Sequence, residues 1–178
     1  MIDVFLRYYP QSELRRYLAL AVIARLAQIQ GIHVTKILGG EFPGYHRTSK
    51  IDAETLARSE IYCVMDDDQL PLRDNFFSLA VAELEAHPEY GMLAGFPMEY
   101  GLAGQPYALR TERVVEAHSI GCPYFVRKGT LKHFPDSPIH MYDGDLSKVV
   151  TDQGLKTGFA RYAIYNHLGY GFSQVEKL

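Results

Sequence analysis

The sequence predicts an α/β fold: a single domain with a mostly parallel central sheet and helices on both faces. Three observations carry this. Short apolar runs rich in β-branched and aromatic residues alternate with helical stretches, in the order strand, helix, strand, helix, strand. One of those runs, Ile61 to Met65, is apolar throughout, as a strand covered on both faces should be. The chain has 178 residues, 47% of them hydrophobic, which favours one domain with a sizeable core.

The elements follow in order. Ile2 to Tyr9, bounded by Pro10, reads as a buried strand. Ser12 offers a capping oxygen to a helix whose apolar face is Leu14, Leu18, Ala21, Val22, Leu26 and Ile29, with Gly31 ending it in a left-handed conformation. His33 to Leu38 is the next strand. Glu41 to Lys50 is turn-rich, and Asp52 to Ser59 is a short helix. After the Ile61 to Met65 strand, Pro71 and Asp74 open a helix with Phe76, Phe77, Ala80, Val81 and Leu84 on its apolar face, stopped by His87-Pro88. Gly91 to Phe96 is a strand. Pro97 to Ser119, with Gly101, Gly104 and Pro106, reads as a flap or irregular hairpin. Ile120 to Arg127 is a strand, Gly129 to Phe134 a short helix, Asp145 to Gln153 a helix closed by Gly154, and Phe159 to Tyr165 the last strand. There is no internal repeat or low-complexity tract.

Composition excludes several classes. Charged residues make up 22%, too few for a disordered chain of this apolar content, and the net charge is −3 with no basic run, so nucleic acid is not an expected partner. The two cysteines, Cys63 and Cys122, lie in apolar stretches and read as reduced buried thiols; no Cys/His spacing suits zinc. No apolar stretch is long enough for a membrane span, and strand-like sequence from Met1 leaves no room for a leader, so the expected location is cytoplasmic.

The chemistry concentrates at Asp66-Asp67-Asp68, directly after the buried strand. In open α/β sheets, ligands bind beyond the carboxyl ends of the strands. On an extended chain Asp66 and Asp68 would point the same way, and two converging carboxylates need a cation or proton between them. Mg2+ or Mn2+, hard cations that bridge carboxylates to substrate phosphates, would satisfy that need. The competing reading is an exposed acidic turn ahead of the helix at Asp74.

Several segments together resemble the family-two glycosyltransferases, which have the GT-A fold. They are Tyr9 at the end of the first strand; Leu18 to Gln28; Lys50-Ile51; Ala57-Arg58-Ser59-Glu60-Ile61 leading into the strand; Asp66-Asp67-Asp68 as Asp-x-Asp; and Pro88 to Gly95. Further on come Tyr142-Asp143-Gly144-Asp145-Leu146, where the family has Glu at the place of Tyr142, and Asn166-His167-Leu168-Gly169 near the end. The resemblance spans roughly residues 3 to 170 and implies a GT-A-like (nucleotide-diphospho-sugar transferase) sandwich. It also implies metal-dependent transfer of a sugar from a nucleoside diphosphate sugar, a UDP- or GDP-sugar, to a saccharide or other hydroxyl acceptor, with inversion.

The residue chemistry and the resemblance together suggest roles. Asp68 would ligate Mn2+ or Mg2+, Asp66 would bind the ribose or share the metal, and His167 would be a further ligand or a hydrogen-bonded histidine at a strand end. Asp67 belongs to the donor-binding group but would point away. Tyr9, or equally Tyr8, would stack on the base, with Lys50, Glu41 and Arg110 near the nucleotide; Arg113 could join Arg110 over the diphosphate, and Tyr100 and Tyr107 could face the acceptor. Asp143 would be the general base, with Asp145 the runner-up, and either could instead serve the helix N-terminus. Two alternatives stay open: a non-catalytic nucleotide-sugar-binding module, and a nucleotidyltransferase, which would want a Gly-rich basic loop that Arg7-Tyr8-Tyr9-Pro10 lacks. Pairing with a second copy is also open.

Overall fold

The structure is a computed structural model, described for residues 1–9, 13–38, 52–98, 111–131 and 143–168. Its strands are β1 (Ile2–Tyr8), β2 (Ile32–Leu38), β3 (Ile61–Asp66), β4 (Gln69–Pro71), β5 (Tyr90–Pro97), β6 (Val114–Glu116), β7 (Tyr124–Arg127) and β8 (Lys156–His167). Its helices are α1 (Glu13–Leu26), α2 (residues 52–56), α3 (Phe76–Ala86) and α4 (Asp143–Thr151). The strands form one sheet in the order β2-β1-β3-β7-β5-β8-β4, with β6 also on β8.

The sheet is mixed, where a mostly parallel one was expected. β1–β2, β1–β3 and β5–β8 are parallel, while β3–β7, β5–β7, β4–β8 and β6–β8 are antiparallel. β7 slots between β3 and β5 against their direction. Apolar patterning reports burial and is blind to strand polarity, so this insertion left no mark in the sequence.

Helices do cover both faces. Successive side chains of a strand point to opposite sides, so Val4, Leu6, Cys63 and Met65 share a core with Val22 and Leu26 of α1 and with Phe76, Phe77, Ala80 and Leu84 of α3. Phe5, Tyr62 and Val64 face the other core, with Ala53 of α2 and Leu146, Val149 and Val150 of α4. Phe76 and Phe77 meet edge to face, and both lie against Phe125 of β7. Truncating Phe77 to Ala would cost about 3–5 kcal/mol, since no solvent is available to fill the void.

The expected face of α1 holds in part, with Val22, Leu26 and the following Ile29 inward. Ala19, Val22 and Leu26 are buried, whereas Leu14 and Ala21 are exposed. The inward stripe is Arg15, Ala19, Val22 and Leu26, at helical spacing, and it begins on a charge. The helix ends at Leu26 through tightened turns, Gln28 N–H to Arg25 and Ile29 N–H to Leu26. Gly31, with φ of +79°, therefore shapes the turn into β2 and does not terminate α1.

Two short strands replace expected irregular sequence. Gln69–Pro71 pairs with the end of β8, so α3 starts only at Phe76, and Val114–Glu116 lies in the stretch read as a flap. Residues 99–110 of that flap lie outside the described residues, as do residues 132–134 of the expected short helix. Residues 128–131 form a turn.

Candidate active site at the end of β3

β3 is buried from Ile61 through Met65 and stops at Asp66; the chain then turns through Asp67 and Asp68 and re-enters the sheet as β4. The acidic run is thus a tight turn, not an extended segment: Asp66 meets Arg7, while Asp67 and Asp68 converge on Arg15. Gln69 closes the turn from inside: its Oε1 accepts the Asp66 N–H at 2.8 Å, and its Nε2 donates to the Cys122 carbonyl at 2.6 Å. The Tyr165 hydroxyl donates to the same carbonyl at 3.1 Å. Because Gln69 is paired with His167, the turn sits between the carboxyl ends of β1 and β8, and the Leu168 N–H donates to the Asp68 carbonyl at 2.7 Å.

Each carboxylate has its own partners. Asp66 accepts two hydrogen bonds from Arg7, Nε to Oδ1 at 2.7 Å and Nη2 to Oδ2 at 3.0 Å. The same Nη2 lies 2.9 Å from the Cys122 sulfur. Asp67, fully buried, accepts the Tyr9 N–H at 2.8 Å and Arg15 Nη1 at 3.2 Å. Asp68 accepts Arg15 Nη1 on Oδ2 at 2.7 Å, with His167 Nε2 3.4 Å from that oxygen. The other Asp68 oxygen, Oδ1, is buried with no hydrogen-bond partner.

The electrostatics follow from these contacts. Burial pushes the Asp67 carboxyl up to about 6, helped by its two acidic neighbours and opposed by the Tyr9 N–H and Arg15. Burial acts on Asp68 too, but His167 and Arg15 outweigh it and hold that carboxyl below its ordinary value. Burial works against the charge of Arg7, yet Asp66 more than restores it and its pKa is raised. The Tyr9 hydroxyl, buried and 3.4 Å from Asp66, is held firmly protonated.

Of the residues singled out in the sequence, Tyr9, Asp66, Asp67, Asp68 and His167 are brought together here. The ring of Tyr9 lies under the Arg15 guanidinium, 5.3 Å from its centroid. Tyr8 sits instead beside Lys36. Asp145 is exposed in the first turn of α4. Helix α4 begins at Asp143, whose side chain lies outside the described residues, as do Glu41, Lys50, Tyr100, Tyr107, Arg110 and Tyr142. Arg113 is paired with Glu83 of α3. Helix α4 reaches the site region through Ser147, whose hydroxyl accepts the Ile120 N–H at 3.1 Å two residues before Cys122.

The residues missed in the sequence are Arg7, Arg15, Gln69 and Cys122. Arg7 had a signal, a charge inside an otherwise apolar strand, and Arg15 had one, a charge at helical spacing from Ala19, Val22 and Leu26.

The donor set partly suits a hard cation. Asp68 offers one buried oxygen, Oδ1, without a partner, and the His167 imidazole lies beside its other oxygen, so these two residues would hold Mg2+ or Mn2+. Among the described residues no three His, Cys, Asp or Glu side chains gather closely enough to hold an ion by themselves. Remaining ligands would have to come from substrate oxygens or water.

No protein-family model and no curated protein matches the sequence. Among solved structures, the fold is similar to that of A197 from STIV, with a TM-score of 0.57 and 14% identity over 90% of this chain and 82% of that one. It is also similar to residues 1–349 of S. aureus TarS, a glycosyltransferase, with a TM-score of 0.61 and 14% identity over 98% of this chain. The chain spans 62% of that TarS chain. At such identity the likeness is one of fold: a mixed α/β architecture with a helix-flanked central sheet, of a kind that a glycosyltransferase uses. Among the described residues no helix is long and apolar enough to cross a membrane.

Proposed function

We propose that the chain is a glycosyltransferase catalytic domain that transfers a sugar from a nucleoside diphosphate sugar to an acceptor hydroxyl, with inversion, using Mn2+ or Mg2+. The observation that carries this reading is the buried Asp68, one oxygen unpartnered and His167 beside the other, at the carboxyl end of a central strand. The fold shared with TarS agrees with it.

In this reading Asp68 and His167 would hold the cation, whose charge would offset that of the leaving diphosphate. Asp66, held in place by Arg7, presents its exposed edge to the ribose, and Tyr9 lies under the nucleotide. A carboxylate at the start of α4, Asp143 or Asp145, takes the proton from the acceptor hydroxyl as that oxygen attacks the anomeric carbon.

Thermal unfolding with UDP and GDP, with and without Mn2+, tests the reading. A ligand that binds only the folded chain raises its melting temperature by mass action. The expected result is a rise that needs both nucleotide and Mn2+ and disappears in Asp68→Asn. No metal-dependent rise with any nucleoside diphosphate would refute it.

A further inference from the structure

Within the acidic run, three carboxylates face two guanidinium groups. Arg7 is buried and committed to Asp66 on both oxygens. Arg15 differs: a single nitrogen, Nη1, serves both Asp67 and Asp68. Its side chain is 37% exposed, while those of Asp67 and Asp68 are 0% and 4% exposed. The carboxylates are fixed in the turn, and the arginine, on the first turn of α1 with its guanidinium over the Tyr9 ring, is the most exposed member of the three.

Arg15 also stands where a cation would. It takes the Asp68 oxygen nearest His167, whereas Oδ1 of the same carboxylate is left buried and unpartnered. A carboxylate desolvated this far, with one oxygen unsatisfied, is incompletely served by a monodentate guanidinium contact. We propose that Arg15 is an internal stand-in for the divalent cation: it holds Asp68 in the ligand-free chain, and a cation binds by displacing it. A nucleoside diphosphate favours the exchange, because its phosphate oxygens give the displaced guanidinium a new partner. Cation and nucleotide therefore bind with positive coupling, each weakly alone. The proposal rests on the sugar-nucleotide reading for the identity of that second ligand.

The test is a titration of the full chain with Mn2+ alone, free Mn2+ being counted by its electron paramagnetic resonance signal. Arg15→Gln is compared with the parent and with Arg25→Gln, which removes an equal charge from the same helix where it meets Asp74 and the Pro71 carbonyl. Arg15→Gln should bind Mn2+ about tenfold more tightly than the parent or beyond, and Arg25→Gln within about twofold of it. The gain should vanish in Arg15→Gln/Asp68→Asn. Without Mn2+, Arg15→Gln should melt lower than the parent and recover as Mn2+ is added. Equal affinity in Arg15→Gln and parent, a gain that survives Asp68→Asn, or a variant that stays unfolded with or without Mn2+ would each overturn the proposal. Because no nucleotide enters this titration, loss of the nucleotide-dependent thermal shift with the Mn2+ gain intact would remove the sugar-nucleotide reading and leave the stand-in role of Arg15.

Discussion

Arg7 and Asp66 are register partners across the parallel β1–β3 pair, and their side chains meet in a two-pronged ion pair with Nε–Oδ1 and Nη2–Oδ2 distances of 2.7 and 3.0 Å. The first residue of the acidic run is therefore set by sheet register. A one-residue slip of β1 against β3 would turn Arg7 to the opposite face.

Removing one partner should be costly. Arg7→Met leaves the part-buried Asp66 carboxylate without its guanidinium, and equilibrium urea unfolding should show a loss of about 3 kcal/mol. Arg7→Met/Asp66→Leu should recover part of that loss. A double variant as unstable as the single would mean that packing of the arginine stem, not the charge pair, is what matters.

Asp3 holds the approach to β3. Its Oδ2 accepts the Arg58 and Ser59 N–H groups at 2.6 and 2.8 Å, and His33 Nδ1 is 3.3 Å from Oδ1. Burial acts to raise this carboxyl, but those donors outweigh it and its pKa is lowered from 3.8. The folded chain thus binds this proton more weakly than the unfolded chain. The resulting stability is full above 3.8 and is lost as the pH falls through the lowered value. Asp3→Asn should cost roughly 1–3 kcal/mol near neutrality. The gap between variant and parent should narrow as denaturation is repeated at pH values below 3.8. A gap independent of pH would remove the carboxylate charge from the explanation.

Gly158 marks a close approach in the sheet. A Cβ there would lie 2.6 Å from the Val115 carbonyl oxygen, a backbone atom that can retreat only by loosening β6 from β8. Gly158→Ala should lower stability by about 1–3 kcal/mol. Hydrogen exchange should quicken first at Val114–Glu116; unchanged exchange there would show that the strain is relieved elsewhere.

Two functional variants separate binding from chemistry under the proposed reading. His167→Ala should weaken the Mn2+-dependent nucleotide shift. Asp143→Asn and Asp145→Asn should leave that shift intact, and one of them should slow transfer by about 10²–10⁴-fold. Turnover at the parent rate in both would exclude the start of α4 as the source of the base.

Much of this site was legible because its signals are local. An unbroken apolar run followed by charges marks a strand end, and β3 does stop at Asp66. What escaped was whatever depends on partners distant in sequence. Arg7 and Arg15 occupy inward positions that an apolar pattern skips, so the reading of α1 found Val22, Leu26 and Ile29 but added Leu14 and Ala21 where the inward stripe runs through Arg15 and Ala19. The expected alignment of Asp66 with Asp68 assumed an extended chain, whereas Gln69 folds the run into a turn by hydrogen-bonding back to Asp66. β4 is three residues long and ends in Pro71, too short to show any periodicity, and only its pairing with β8 reveals it.

β8 also ties distant parts of the chain together. It joins β5 on one edge and β6 and β4 on the other, so both short strands lack a partner until residues 156–167 arrive. The β1–β3 pair and Arg15 belong to the first part of the chain, whereas His167 comes with the last strand. Contacts so distant along the chain repay their loop-closure entropy only once they form. The acidic run and His167 are thus joined through the pairing of Gln69 with His167, so the site is complete only when the two ends of the described chain meet.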